Sequence, residues 1–460
     1  MKNVMKIFEQ LAAIPHGSGN TKAISDFCVA YAQKRGFETE QDALNNVLIR
    51  VPASAGYEEH PTVILQGHLD MVCEKEPTSK HDFEKDPLQL RREGDWLMAT
   101  DTTLGGDDGI AIAYGLALLD EKTPHPALEL FFTVDEETGM DGAIGFDPVW
   151  LTGRRLLNLD SEEEGQLIVS AAGGRNVIGR LPLKWEPCTG AVYEIKVDGL
   201  QGGHSGAEIH QGRANANIIL GKILSGLNCR IIEINGGTKA NAITRTAAAL
   251  VAMETPVDGG DLTALFRREY GERDPELIVT VTTATSLKML EAETSAKAIS
   301  LLSSLPDGVQ AWSTEIEGLV ETSLNCGIVT TDEEFLTVLT SLRSMKNSER
   351  DDLNDKIVAL MERSGAIVET EAGYPAWEYK ADSPLQKVVC NCYQKMAKKE
   401  MQVIALHAGL ECGLLSEKLP GLDCVSMGPD MKDIHTPRER ISVSSVERTW
   451  ELLKEILKNL

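Results

Sequence analysis

Apolar residues recur at helical spacing over residues 8–31, whereas residues 62–66, 128–134 and 156–159 form short, nearly uninterrupted apolar runs. Runs of that length read as strands buried on both faces, and the wider spacing reads as helix. Residues 110–119, between two of the runs, predict a buried helix. From about Val192 the pattern changes to period two, as in residues 192–197, with helices expected over 214–227 and 349–363. The first texture then returns: a helix over 384–397, short strands over 403–406 and 424–427, and a closing helix over 444–460. Strands alternating with helices predict an α/β domain with a mixed, mainly parallel sheet and helices on both faces. This order places it in residues 1–185 and 381–460, interrupted by an inserted α+β domain over 186–380.

Composition narrows the partners. At 460 residues and 42% hydrophobic the chain can bury a large core. Its formal charge of −25 excludes a phosphate-binding surface, which needs clustered Lys and Arg, so neither nucleic acid nor membrane is expected and small substrates are. Residues 1–10 lack the apolar segment of a signal peptide, and no run of about 18 apolar residues occurs, so a cytoplasmic location is expected. Nine cysteines form no disulfide framework, and Cys390 with Cys392 lacks the second pair a zinc site needs.

Four acidic or imidazole clusters fall at strand ends or just before a helix: His68 with Asp70, Asp107 with Asp108, Asp135-Glu136-Glu137, and Asp160. Open α/β sheets bind ligands at the carboxyl ends of their strands. Singly, each cluster reads as a helix cap or a solvated turn; jointly they offer the nitrogen and oxygen donors of a metal site.

The motifs G-H-L-D-M-V-C-E-K, T-L-G-G-D-D-G-I-A, D-E-E-T-G-M-D-G-A, L-N-L-D-S-E-E-E-G, G-G-H-S-G-A-E-I-H, H-A-G-L-E-C-G and I-H-T-P run in that order along nearly the whole chain. Together they resemble the aminoacyl-histidine (Xaa-His) dipeptidases, a branch of the zinc aminoacylase and carboxypeptidase superfamily. The resemblance implies two Zn²⁺ per chain, with Mn²⁺ or Co²⁺ as alternatives. His68 and Asp160 would hold one ion, Glu137 and His435 the other, and Asp107 would bridge them. It implies Glu136 as general base, while Asp70, two residues after His68, is placed to accept the proton of the second imidazole nitrogen and fix its tautomer. His204, Asn241 and Arg343 would bind substrate from a lid, and His407 or Glu411 would line the pocket or bind an amine. The activity implied is hydrolysis of Xaa-His or broadly chosen dipeptides by a hydroxide bridging the two zincs, in a homodimer formed through the lid. An aminoacylase or carboxypeptidase would use the same zinc core, and an inactive binding homologue is the non-enzymatic alternative.

Local pattern supplies plainer expectations for several positions. His204 reads as an exposed imidazole on a glycine-rich hairpin, and Arg343 as the cap of a strand over 335–342 or the partner of a surface carboxylate. Asp108 reads as the cap of a helix starting at Gly109, and His407 and Glu411, four apart, as one helix face. Glu162, Glu163 and Glu164 read as a solvated loop, and His60, His81, His125 and His210 as surface residues.

Overall fold

The computed structural model describes residues 2–314 and 316–460. Two compact units emerge: one holds the chain up to Ser170 with Tyr379–Ala405 and Leu410–Leu460, the other Ala171–Glu378 with Leu406–Gly409.

The first unit is built on an eight-stranded sheet in the order Glu38–Gln41, Val47–Val51, Leu128–Thr133, Val63–His68, Arg155–Asn158, Asp423–Ser426, Gln166–Ala171, Gln402–Leu406. The four strands from Leu128–Thr133 to Asp423–Ser426 pair in parallel, while Val47–Val51 on one side and Gln166–Ala171 on the other pair antiparallel. Every residue of Val63–His68 and Leu128–Thr133 is buried, so both sheet faces are covered and continuous apolar runs suit these positions. The helix Gly106–Leu118 is likewise buried throughout, and Tyr114 stacks on Trp450 of the closing helix Val443–Asn459. The helical pattern over residues 8–31 resolves into two helices, Lys2–Ala12 and Lys22–Gln33, separated by the segment holding Pro15, Gly17 and Gly19.

The second unit is an antiparallel sheet with its own core, packed by the helices Ala216–Ser225, Ala292–Ser304 and Asn347–Arg363. It begins before residue 186, because Gly173–Pro182 pairs along its whole length with Phe335–Ser344. Pairing between segments this far apart leaves no local trace in the sequence. Among the described residues no helix is long and apolar enough to cross a membrane.

Candidate active site

Parallel pairing brings the clusters of the first unit to one level. Gln66 lies opposite Asn158 and His68 opposite Thr133, so three neighbouring strands end at His68, two residues before Asp160 and three before the Glu136–Glu137 pair. The His68 Nε2 lies 3.0 Å from Asp107 Oδ1 and 3.9 Å from Asp160 Oδ1. The His435 Nε2 lies 3.2 Å from Asp107 Oδ2 and 2.9 Å from Glu137 Oε1. Asp107 thus turns one oxygen to each imidazole. Donors bound at about 2.0–2.2 Å around a tetrahedral ion stand about 3.3–3.6 Å apart, within the span of these separations.

Charge points the same way. Among the described residues, Asp107, Asp108, Glu136, Glu137 and Asp160 gather around two imidazoles, His68 and His435. Burial, then Asp107 and Asp108, push Asp160 well above the ordinary carboxyl range. Burial also pushes Glu136 up to about 8, with Glu411, Glu137 and Asp107 adding to the effect against the pull of His68. The imidazoles respond in the opposite sense: hydrogen bonds to Asp107 and Glu137 lift His435 to about 10, and at His68 Asp107 and Asp70 outweigh burial. A cluster with this excess of buried carboxylate suits cations. The residues therefore fit two divalent metal ions in spacing, donor type and charge.

Successive residues on a strand face opposite ways, so Glu136 and Glu137 need a turn to share a site. The strand ends at Thr133, Asp135 adopts a left-handed conformation (φ 56°), and Glu136–Gly139 form a single helical turn. Asp70 holds that turn: its Oδ1 accepts from the Glu136 N–H (3.1 Å), and its Oδ2 from the Glu137 N–H (3.3 Å) and the Ser18 hydroxyl (2.8 Å). The Gly19 N–H donates to Asp135. His68 Nδ1 is nearer the Asp70 backbone oxygen (3.0 Å) than its carboxylate (3.4 Å), so residue 70 orients the ring through both groups.

Asp108 does not cap the helix. It is fully buried with non-helical dihedrals, its Oδ2 accepts the His68 N–H (3.1 Å), and its Oδ1 has no partner. One ligand atom each from His68, Asp108 and Asp160 can lie within 4.8 Å of one another, as can one each from His68, Asp107 and Glu137. The capping expectation fails because Asp108 turns its carboxylate to the His68 N–H rather than to the N–H groups of the helix that follows it. Glu411 begins the helix Glu411–Lys418 while His407 follows the strand Gln402–Leu406, so the two share no helix face. Glu411 is fully buried: its Oε2 accepts from Gln66 and Thr133 (2.6 Å each), and its Oε1 has no partner. The Gln66 oxygen accepts from Asn158, completing a polar row across three strands. The polar side chains in otherwise apolar runs were the signal that could have revealed this row. Glu439, buried beneath the Asp107 loop, carried no such signal.

Glu162 and Glu163 are exposed, whereas Glu164 is half-buried and pairs with Arg448 through two contacts of 2.6–2.7 Å. His125 is buried rather than at the surface.

In the second unit, Gly203–His204 pairs with Ala242–Ile243, so His204 is half-buried on a short ladder beside Asn241, whose carbonyl accepts from the Ser205 N–H. Arg343 does not cap a strand end: it lies inside Phe335–Ser344, opposite Ser323, and is buried. Its Nη1 donates to the Tyr374 hydroxyl (2.6 Å) and its Nε has no partner. His407 Nε2 is 2.8 Å from the Ser323 hydroxyl, and its Nδ1 has no partner. Burial, then Arg343, pull His407 down to about 3 and lower His204 as well. The ion pairs among the described residues include none to Arg343. Arg343 is thus the charged member of this cluster, beside imidazoles displaced toward their neutral forms.

The chain is 38% identical to the cytosol non-specific dipeptidase of Escherichia coli (strain K12), over 99% of its own length and 96% of the relative's. It matches the crystal structure of the aminoacylhistidine dipeptidase from Vibrio alginolyticus with a TM-score of 0.92 at 35% identity, covering 100% of this chain and 96% of that one. The aminopeptidase PepT from Bacillus cereus, at 16% identity and a TM-score of 0.60 over 99% and 98% of the two chains, shares the fold. Residues 64–459 match the family described as Peptidase family M20/M25/M40, and with a full-length relative at this identity the chain belongs to that family and is a peptidase.

Proposed function

We propose that this chain is a metal-dependent dipeptidase of the cytoplasm, with two metal positions bridged by Asp107. One observation carries the reading: the two oxygens of Asp107 face His68 and His435 separately, each within 3.2 Å. His68 and Asp160 complete one position, His435 and Glu137 the other. The similarity to a cytosol non-specific dipeptidase and an aminoacylhistidine dipeptidase supports both substrate class and location. Zinc fits the mixed nitrogen and oxygen donors, with manganese or cobalt as alternatives.

Divalent metals bound there supply Lewis-acid activation of water and of the scissile carbonyl. Glu136, beside the ligands and held by Asp70 through its N–H, takes the proton of the attacking water and returns it to the leaving amine. Glu411, with an unpartnered buried oxygen, is the acceptor for a substrate ammonium. In the second unit Arg343, with His407 and Asn241, binds the terminal carboxylate of a dipeptide, since its guanidinium is buried without an anion. His204 donates to the oxyanion that develops on the carbonyl. The inserted unit would also carry the contact of a homodimer.

The test is hydrolysis by metal-free protein supplied with zinc, manganese or cobalt singly, across dipeptides including Xaa-His, tripeptides, C-terminal amides and N-acyl amino acids. Preference for free dipeptides supports the proposal. Preference for N-acyl amino acids would assign an aminoacylase, and no turnover with any metal would contradict a catalytic role.

A further inference from the structure

Asp107 must hold its carboxylate so that one oxygen meets each imidazole, yet it follows two glycines, the least restrained residues available. Gly105 has a positive φ of 66°, so the loop is not fixed by its own conformational preferences. Glu439 supplies the restraint. Its side chain is buried (3% exposed) under the loop. Its Oε2 accepts from the N–H groups of Leu104 (2.7 Å) and Gly105 (3.2 Å), and its Oε1 from those of Gly106 (2.8 Å) and Asp107 (3.4 Å). Four successive backbone donors thus converge on one carboxylate, and a Cβ at Gly106 would stand 3.3 Å from Oε1.

Glu439 belongs to the same short loop as His435. The loop is closed at its base by pairing of Met431–Lys432 with Arg440–Ser442, which in turn pairs with Trp96–Ala99. It is braced within by the Glu439 N–H to the Thr436 carbonyl, the Thr436 hydroxyl to the Asp433 carbonyl, and the Arg440–Asp433 ion pair. One braced loop therefore grips the backbone of Asp107 through Glu439 and meets its carboxylate through His435.

We propose that Glu439 is a positioning residue of the metal centre: it fixes residues 104–107 so that Asp107 can bridge, and it ties the placement of Asp107 to that of His435. The inference rests on the two-metal reading above. A carboxylate suits the task because it only accepts. In Glu439→Gln one oxygen becomes an amino group facing N–H donors, so about half of the grip is lost without loss of volume. Outer-sphere partners of metal ligands are worth about 10–100-fold in metal affinity.

The experiment measures metal stoichiometry and affinity by chelator competition, with thermal unfolding alongside, for the wild type, Glu439→Gln, Glu439→Asp and Asp423→Asn. Asp423 is a buried carboxylate that caps the helix Pro384–Ala397 through Ser383 and Leu385, so its variant reports structural damage alone. The expected result is about 10–100-fold weaker metal binding in Glu439→Gln, a smaller loss in Glu439→Asp, and wild-type affinity in Asp423→Asn even if it melts earlier. Two metals held with wild-type affinity by Glu439→Gln would overturn the inference. If that variant does not fold, Glu439→Asp decides on the same criterion. A wild type that binds fewer than two metals would instead overturn the two-metal reading.

Discussion

The two units carry opposite electrostatic deficits. In the first, five carboxylates crowd two imidazoles, and Asp160, Asp108 and Glu136 are all displaced toward their neutral forms. In the second, Arg343 is buried with no carboxylate paired to it among the described residues, and His407 beside it is displaced to about 3, toward its neutral form. Structural ion-pair networks ordinarily balance their charges internally, because an uncompensated buried charge is costly. Under the proposed function each imbalance is met by a ligand: metal cations in one unit, a carboxylate in the other. The contrast teaches that function is written here as missing charge.

The sharpest break comes from removing the shared ligand. Asp107→Ala should lose both metals and with them essentially all activity, whereas Asp160→Ala should mainly weaken one metal; elemental analysis after dialysis distinguishes the two. Next in size, Glu136→Gln should keep both metals while kcat falls by at least ~10²-fold, the lower range for general acid–base catalysis. Retained turnover would move the proton transfer elsewhere. On the other side of the comparison, Arg343→Ala should raise KM for dipeptides about ten- to hundredfold, the usual worth of a hydrogen bond to a charged group. It should leave KM for C-terminally amidated analogues nearly unchanged, and an equal effect on acid and amide would remove Arg343 from carboxylate binding.

The smallest effect is one of pH. The depressed folded-state value of His407 means that the unfolded chain binds more protons below pH ~6.5, so this residue's stability contribution is present above that pH and is lost as pH falls toward about 3. His407→Gln should unfold with a shallower acid dependence between pH 6.5 and 4 than the wild type, as read by denaturant titration at each pH. Identical slopes would mean that His407 is not held neutral by its surroundings.

The sequence made the first unit more legible than the second. Apolar runs located the parallel strands, and motif order could collect the proposed ligands His68, Glu137 and Asp160 because they lie at the strand ends or up to four residues beyond them. His435 was reachable only through resemblance, since the loop that returns it is fixed by pairing with Arg440–Ser442 rather than by any local pattern. Asp108 was misread for a related reason: a cap and an inward-facing carboxylate differ only in dihedral angles that the sequence does not display. Arg343 looked like a strand end because the apolar alternation stops at Leu342, whereas pairing with Gly173–Pro182 carries the strand on to Ser344. Glu439 was missed altogether, as its partners are backbone N–H groups that no side-chain pattern announces.

The central claim is that a buried carboxylate excess in the first unit exists to hold two metals for dipeptide hydrolysis. Titrating metal-free protein with zinc, while following bound metal and dipeptide turnover in the same samples, tests it directly. The account predicts saturation at two metals per chain, with turnover reaching its maximum only as the second position fills. Saturation at one metal, or full turnover before the second binds, would contradict it.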